Sequence, residues 1–151
     1  MKYLYPVAIE LGDEKTAYSV WFPDLDGCFT AGDTYDEALI NAPDAIDMYL
    51  EDLADNGKTP PTPTKIEAHI NDPEYVGFLW SIVEIDVSPY MGGTVKIDVN
   101  LPRLLLKKID SFVQFSDEYK DRYHFLQVAA LKEIEAATAK SRMDFEEKIC
   151  K

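Results

Sequence analysis

Residues 94–101, TVKIDVNL, alternate apolar and polar side chains without a fault. Successive side chains of a strand point to opposite sides. Val95, Ile97, Val99 and Leu101 therefore share one face, and Thr94, Lys96, Asp98 and Asn100 share the other. Nothing downstream offers this strand a partner. Pro102 stands where a helix can open without losing a hydrogen bond, and Leu105, Ile109, Phe112 and Val113 follow at helical spacing. A second helix starts near Asp121 and carries Phe125, Leu126, Ala129, Ala130, Ile134 and Ala137. One strand and two helices in roughly 45 residues make too small a core for a stable monomer. The pattern predicts a homodimer, with residues 94–101 of two chains paired antiparallel about a twofold axis. Further pairing of dimers into tetramers is compatible with it.

Upstream the rhythm differs. YLYPVAIEL (3–11) and AYSVWF (17–22) are rich in β-branched and aromatic residues and flank GDEK, which predicts a hairpin. GCFTA (27–31) supplies a short third strand. Thr34 followed by Glu37 is a capping box, and behind it Tyr35, Ala38, Leu39, Ala42, Ile46, Tyr49, Leu50 and Leu53 share a helical face. Asn56-Gly57 ends that helix, while Pro43 inside it predicts a kink or two short helices. GFLWSIVEIDV (77–87) reads as a largely buried strand. The fold class is α+β: a β-β-β-α-β domain over residues 1–87, a linker over 88–93, and a dimerising strand-helix-helix domain over 94–151.

Charge divides at the same place. Residues 1–90 hold 4 Lys and Arg against 18 Asp and Glu, a net of −14, whereas residues 91–151 hold 11 against 10, a net of +1. An overall charge of −13 argues against the whole chain being a nucleic-acid binder. The split argues for two domains with different partners. No apolar run is long enough to span a membrane, and the first residues lack the features of a secretory signal. Cys28 and Cys150 show no metal-ligand spacing. They are read as structural or incidental, in a reducing, cytoplasmic setting.

The passage WFPDLDGCFTAGDTYDEA (21–38) crowds Asp24, Asp26, Asp33, Asp36 and Glu37 together. A two-metal nuclease site could be built from Asp24, Asp26 and Asp33 with Glu84 or Asp86, provided that the carboxylates converge from separate strands. The blander account assigns Glu37 to the capping box and Asp33 to the turn before the helix, and places Asp24 and Asp26 in a proline-glycine turn. That leaves an acidic rim suited to binding. His69 and His124 have no catalytic companions at suitable spacing and read as surface or satisfied histidines. Trp21 and Trp80 read as packing residues.

FPDLDGCFTAGDTYDEA, set between a hairpin and a helix, resembles the N-terminal domain of the HicB antitoxin family. KIDVNLP, LLKKIDSFV and DRYHFLQVAALKEI, in that order, resemble a ribbon-helix-helix DNA-binding domain, which many HicB proteins carry at their C-terminus. The resemblance implies a type II antitoxin whose first domain is a partial ribonuclease-H-like fold without nuclease activity. That domain would sequester HicA, a small basic toxin that cleaves mRNA, and the second would bind operator DNA and repress the operon. It implies no catalytic residue, metal or cofactor. The toxin-contact candidates are Asp24, Asp26, Phe29 and Asp33, on a surface whose charge suits a basic partner.

On the ribbon, Lys96 can read guanine, Asn100 adenine, and Asp98 can accept from cytosine. The resemblance places Arg122 near phosphate. Two features depart from the family pattern: Pro43 inside its usual helix, and Asp98 on the ribbon face. The tail SRMDFEEKICK matches no part of it. The competing readings are a transcription regulator without a toxin partner and a metal-dependent nuclease.

Overall fold

Asp13 makes the first turn. Its carboxylate accepts from the amides of Lys15 and Thr16 at 2.7 and 2.9 Å, a side-chain turn of the kind that aspartate favours. A computed structural model describes residues 1–149. They form two compact units, Met1–Val95 and a second from Lys96 onward.

The first unit holds β1 (Lys2–Glu10), β2 (Tyr18–Trp21), β3 (Phe29–Gly32), the helix α1 (Tyr35–Asp55) and β4 (Leu79–Asp86). The four strands form one antiparallel sheet in the order β3-β2-β1-β4. β1 therefore sits centrally, and its residues from Tyr5 to Ile9 are buried on both faces. β4 is an edge strand with alternating burial: Val83 and Ile85 point inward, while Ile82 and Glu84 are exposed. The unbroken apolar run suggested the opposite, but Trp80 and Ile82 lie on the sheet face that no helix covers, and Leu79 is exposed at the strand's end. Pro6 is tolerated inside β1 because β1 pairs with β2 only at Ala8, Ile9 and Glu10, so one side of Pro6 has no ladder to break.

α1 crosses the other face. Ala38, Ala42, Ile46 and Leu50 are fully buried against Tyr5, Val7, Ile9, Val20, Val83 and Ile85. The cap forms as expected, with one shift. Thr34 Oγ1 accepts from the Glu37 amide at 3.1 Å, and the Glu37 carboxylate accepts from the Asp33 amide, one residue before the cap, at 2.9 Å. Helix and strand meet so closely here that a Cβ on Gly32 would lie 2.4 Å from the Ala38 nitrogen. Only glycine fits.

α1 is a single helix with Pro43 inside it, not two short ones. An interior proline costs about 3 kcal/mol. Burying Ile46 and Leu50 contributes about 1.5–3 kcal/mol each and offsets it.

The second unit holds α2 (Arg103–Gln114) and α3 (Arg122–Ile149). Pro102 caps α2 from just outside, its carbonyl accepting from the Leu106 amide at 3.1 Å. Phe112, Tyr119 and Phe125 pack ring to ring at 5.1–5.9 Å beside buried Ile109. α3 continues well past Ala137, through the tail that the sequence left unassigned, as far as Ile149. Residues 94–101 carry no strand in the single chain, and Val95, Ile97 and Val99 are 87, 73 and 60% exposed. Cys150 lies outside the described residues.

Candidate functional site

The sheet face away from α1 is built by register. Phe29 stands opposite Trp21, Trp21 opposite Ala8, and Ala8 opposite Trp80, giving one row across all four strands. Residues directly opposite on one face lie in side-chain contact, so the flanking tryptophans account for Ala8 being fully buried. Trp21 and Phe29 pack at 5.7 Å, and Phe29 is 66% exposed. Phe29 also lines a shallow cavity of about 480 Å³ between the β3 entry and α1, with Cys28, Asn41, Asp44, Met48 and Tyr49.

Asp26 stands exposed next to this cavity. Burial, and then the Asp26 carboxylate, push the Tyr49 hydroxyl above its ordinary value, which places that charge close by. Burial holds the Cys28 thiol at about 11, and its Sγ faces the Ala45 carbonyl at 3.6 Å. It is a neutral packing group. Asp33 is exposed before α1. An apolar centre with carboxylates around it is a surface that can receive a cationic protein.

Asp24 belongs to a different arrangement. Its side chain is only 6% exposed. It accepts from the Thr64 amide at 2.8 Å and from the Thr64 hydroxyl at 2.6 Å. His69 Nε2 lies 2.6 Å from the same hydroxyl, and the His69 ring stacks on Trp80 at 6.2 Å. Together with the Tyr5 hydroxyl, which donates to the Pro61 carbonyl at 2.7 Å, these contacts pin the proline-rich loop to the sheet. Asp24 is thus largely buried and bonded to the proline-rich loop. Thr64 and His69 lie 40 and 45 positions away, and no local pattern announces them.

Each such bond to a charged acceptor is worth about 1.5–3 kcal/mol. Asp24→Ala should therefore loosen residues 58–65 and speed their amide exchange at least tenfold, with β1 unaffected. Unchanged exchange in the loop would show that the latch holds nothing.

The remaining carboxylates are engaged separately. Glu84 pairs with Lys2 at 2.6 Å. Asp86 accepts from the Ser88 hydroxyl and amide and from the N-terminal ammonium, which hold it down at about 2. Among the described residues no three His, Cys, Asp or Glu side chains gather in a way that could hold a metal ion.

In the second unit, Lys96, Asp98 and Asn100 are all exposed. Arg122 is engaged: its Nε and one terminal nitrogen grip the two oxygens of Asp110 at 3.0 and 2.7 Å, tying α3 to α2. Asp121 caps α3 by accepting from the His124 amide at 2.8 Å. The Lys120 amide donates to His124 Nδ1 at 3.3 Å. Neither Asp110 nor Asp121 stood out in the sequence as a partner of these groups. Among the described residues no helix is long and apolar enough to cross a membrane.

A family model described as HicB_like antitoxin of bacterial toxin-antitoxin system matches residues 5–130. An uncharacterized 14.9 kDa protein from the rep-hol intergenic region of Haemophilus phage HP1 is 40% identical over 134 residues, covering 89% of this chain and 99% of its own. Antitoxin HicB 2 of Photorhabdus laumondii is 42% identical over 74 residues, 46% of this chain and 49% of its own. Among solved structures, the antitoxin HicB of Burkholderia pseudomallei superposes with a TM-score of 0.53 at 32% identity, covering 86% of this chain and 97% of its own. The crystal structure of antitoxin HicB3 gives 0.52 at 34%, covering 87% and 97%. The chain belongs to the HicB-like antitoxins of bacterial toxin–antitoxin systems.

Proposed function

We propose that residues 1–87 sequester a small basic mRNA-cleaving toxin of the HicA kind, and that residues 94–137 form a ribbon-helix-helix homodimer on operator DNA, repressing the operon. In this reading the first domain is a partial ribonuclease-H-like scaffold that binds without cutting. The observation that carries it is the coincidence of two divisions. The contact boundary at Val95 and Lys96 separates a unit of net charge −14 from one of +1. A surface of that charge speeds encounter with a basic partner and repels DNA, whereas a near-neutral unit can approach phosphate.

The toxin would seat on the Phe29 aromatic row and the Tyr49 cavity, with Asp26 and Asp33 beside it. Asp24 would support the scaffold behind that surface. Lys96 and Asn100 would read bases from a ribbon laid in the major groove, with Asp98 accepting from cytosine.

Interface hot spots are aromatic anchors ringed by polar groups, each worth about 2–4 kcal/mol. Combining Phe29→Ala with Asp26→Lys should weaken toxin binding by roughly a hundredfold or more. Growth rescue from a co-expressed toxin should be lost, while the thermal midpoint stays near that of the parent. Full rescue by the double variant would move the toxin site elsewhere. A regulator with no toxin partner would show no complex with the product of any neighbouring basic reading frame.

A further inference from the structure

β3 is an outer strand of the sheet, and the bonding parity of the ladder decides which of its main-chain groups face outward. The Val87 amide donates to the Met1 carbonyl at 2.9 Å. Bonded and non-bonded pairs alternate in an antiparallel ladder, so Val7 and Ile9 bond towards β4, and Ala8 and Glu10 towards β2. Ser19 and Trp21 answer β1, which leaves Tyr18 and Val20 to bond with Gly32 and Thr30. The N–H and C=O of Phe29 and Ala31 therefore point out of the edge. The Asn41 amide agrees with that parity, reaching the Ala31 carbonyl at 2.9 Å and closing that position. Nothing among the described residues bonds to the main chain of Phe29. Its two groups open beside the cavity of about 480 Å³ between β3 and α1, a volume typical of ligand pockets.

We infer that this edge takes one residue of an extended segment of a basic protein, and that an arginine next to that residue enters the cavity. The inference rests on the proposal that residues 1–87 bind such a partner. In an antiparallel pair one incoming residue exchanges both bonds with Phe29, and Asn41 stops the pairing from running on to Ala31. Side chains alternate across a strand. The paired residue sets its side chain beside the Phe29 ring on the open face. Its neighbour sends its own to the face of Thr30, where the cavity lies. There it meets the Tyr49 ring and the Met48 thioether, with Asp44 and Asp26 exposed around them. A guanidinium answers both features, because its flat face packs on a ring while its edge bonds a carboxylate. A neutral side chain would leave those carboxylates unanswered, in a part of the chain (residues 1–90) with a net charge of −14.

The probe is acetyl-Val-Arg-Val-amide, titrated into the full chain and followed through the amide shifts of residues 27–30 and 41–49. Saturable shifts are expected there, with a Kd of about 1 mM for so small a contact. Citrulline, the neutral isostere, in place of the arginine should weaken binding about tenfold. Methylating both valine nitrogens, which removes the donor for the Phe29 carbonyl, should do the same. Asp44→Lys should also cost about tenfold. Glu14→Lys, the same change of charge in the hairpin turn at the far end of β2, should stay within about twofold. No saturable shift up to about 10 mM, undiminished binding of the citrulline or methylated peptide, or equal losses at Asp44 and Glu14 would each overturn this docking mode. A toxin complex that forms normally beside such a failure would leave the toxin reading standing. Peptide binding as described, in a protein that forms no toxin complex, would support the slot and overturn the toxin reading alone.

Discussion

Replacing Ile46 with alanine should cost the first unit about 3 kcal/mol, within the 2–5 expected of an isoleucine truncated in a closed core. Ile46 is fully buried at the centre of α1, between the helix and the sheet. The space it leaves opens in a core shared with Tyr5, Val7, Val20 and Val83, on strands that cannot collapse inward without breaking register. Against a typical total stability of about 5–15 kcal/mol, this is a large fraction. Both tryptophans, Trp21 and Trp80, lie in the same unit, so their fluorescence follows its unfolding without a contribution from α2 and α3. In urea the midpoint should fall with no change in slope. Ile40→Ala, on the exposed side of the same helix, should stay within about 0.5 kcal/mol of the parent. Equal losses at both positions would contradict the helix orientation described above.

The second large effect is expected on DNA. Ile97→Lys should convert the protein to monomers at low micromolar concentration by light scattering and lower operator affinity by roughly a thousandfold, the gap between specific and non-specific binding. A lysine in the apolar row would have to be buried without a partner when two ribbons pair, and a half-site reader loses its symmetric second contact.

Two further variants separate the roles on the ribbon and the helices. Lys96→Ala should cost about 1–3 kcal/mol and relax preference at one base position. Arg122 is bound by Asp110, so a phosphate role would require it to exchange that partner. Asp110→Asn should then leave operator binding intact or strengthen it, whereas a purely structural clamp would lose affinity together with helix stability. Normal operator binding by Ile97→Lys would remove the ribbon from the mechanism.

The hairpin, the Thr34 cap and the buried stripe of α1 were legible, because each is written in neighbouring residues through a period of two or 3.6 or through a cap spacing. What escaped depends on distance along the chain. The bond from Asp24 to Thr64 spans 40 positions, and an aspartate beside a glycine turn looks the same whether it faces solvent or a loop. Arg122 carried a charge that suited phosphate, and only the fold brings Asp110 to it. β4 was misjudged for a related reason. An apolar run cannot say whether its second face meets a helix or lies open, and here the strand order leaves it open. Pro43 was read by its local penalty, which tertiary packing overrides.

The strand order also bears on solubility. On one side of the sheet, β3 lies beside α1, and the Asn41 amide donates to the Ala31 carbonyl at 2.9 Å, so that edge is guarded. On the other, β4 has no further strand beside it among the described residues. A free edge can recruit one extra strand, but a growing fibre needs a second free edge to pass the template on. Contacts made through β4 therefore end at a pair, and the same asparagine that fastens α1 to the sheet keeps β3 from passing the template on.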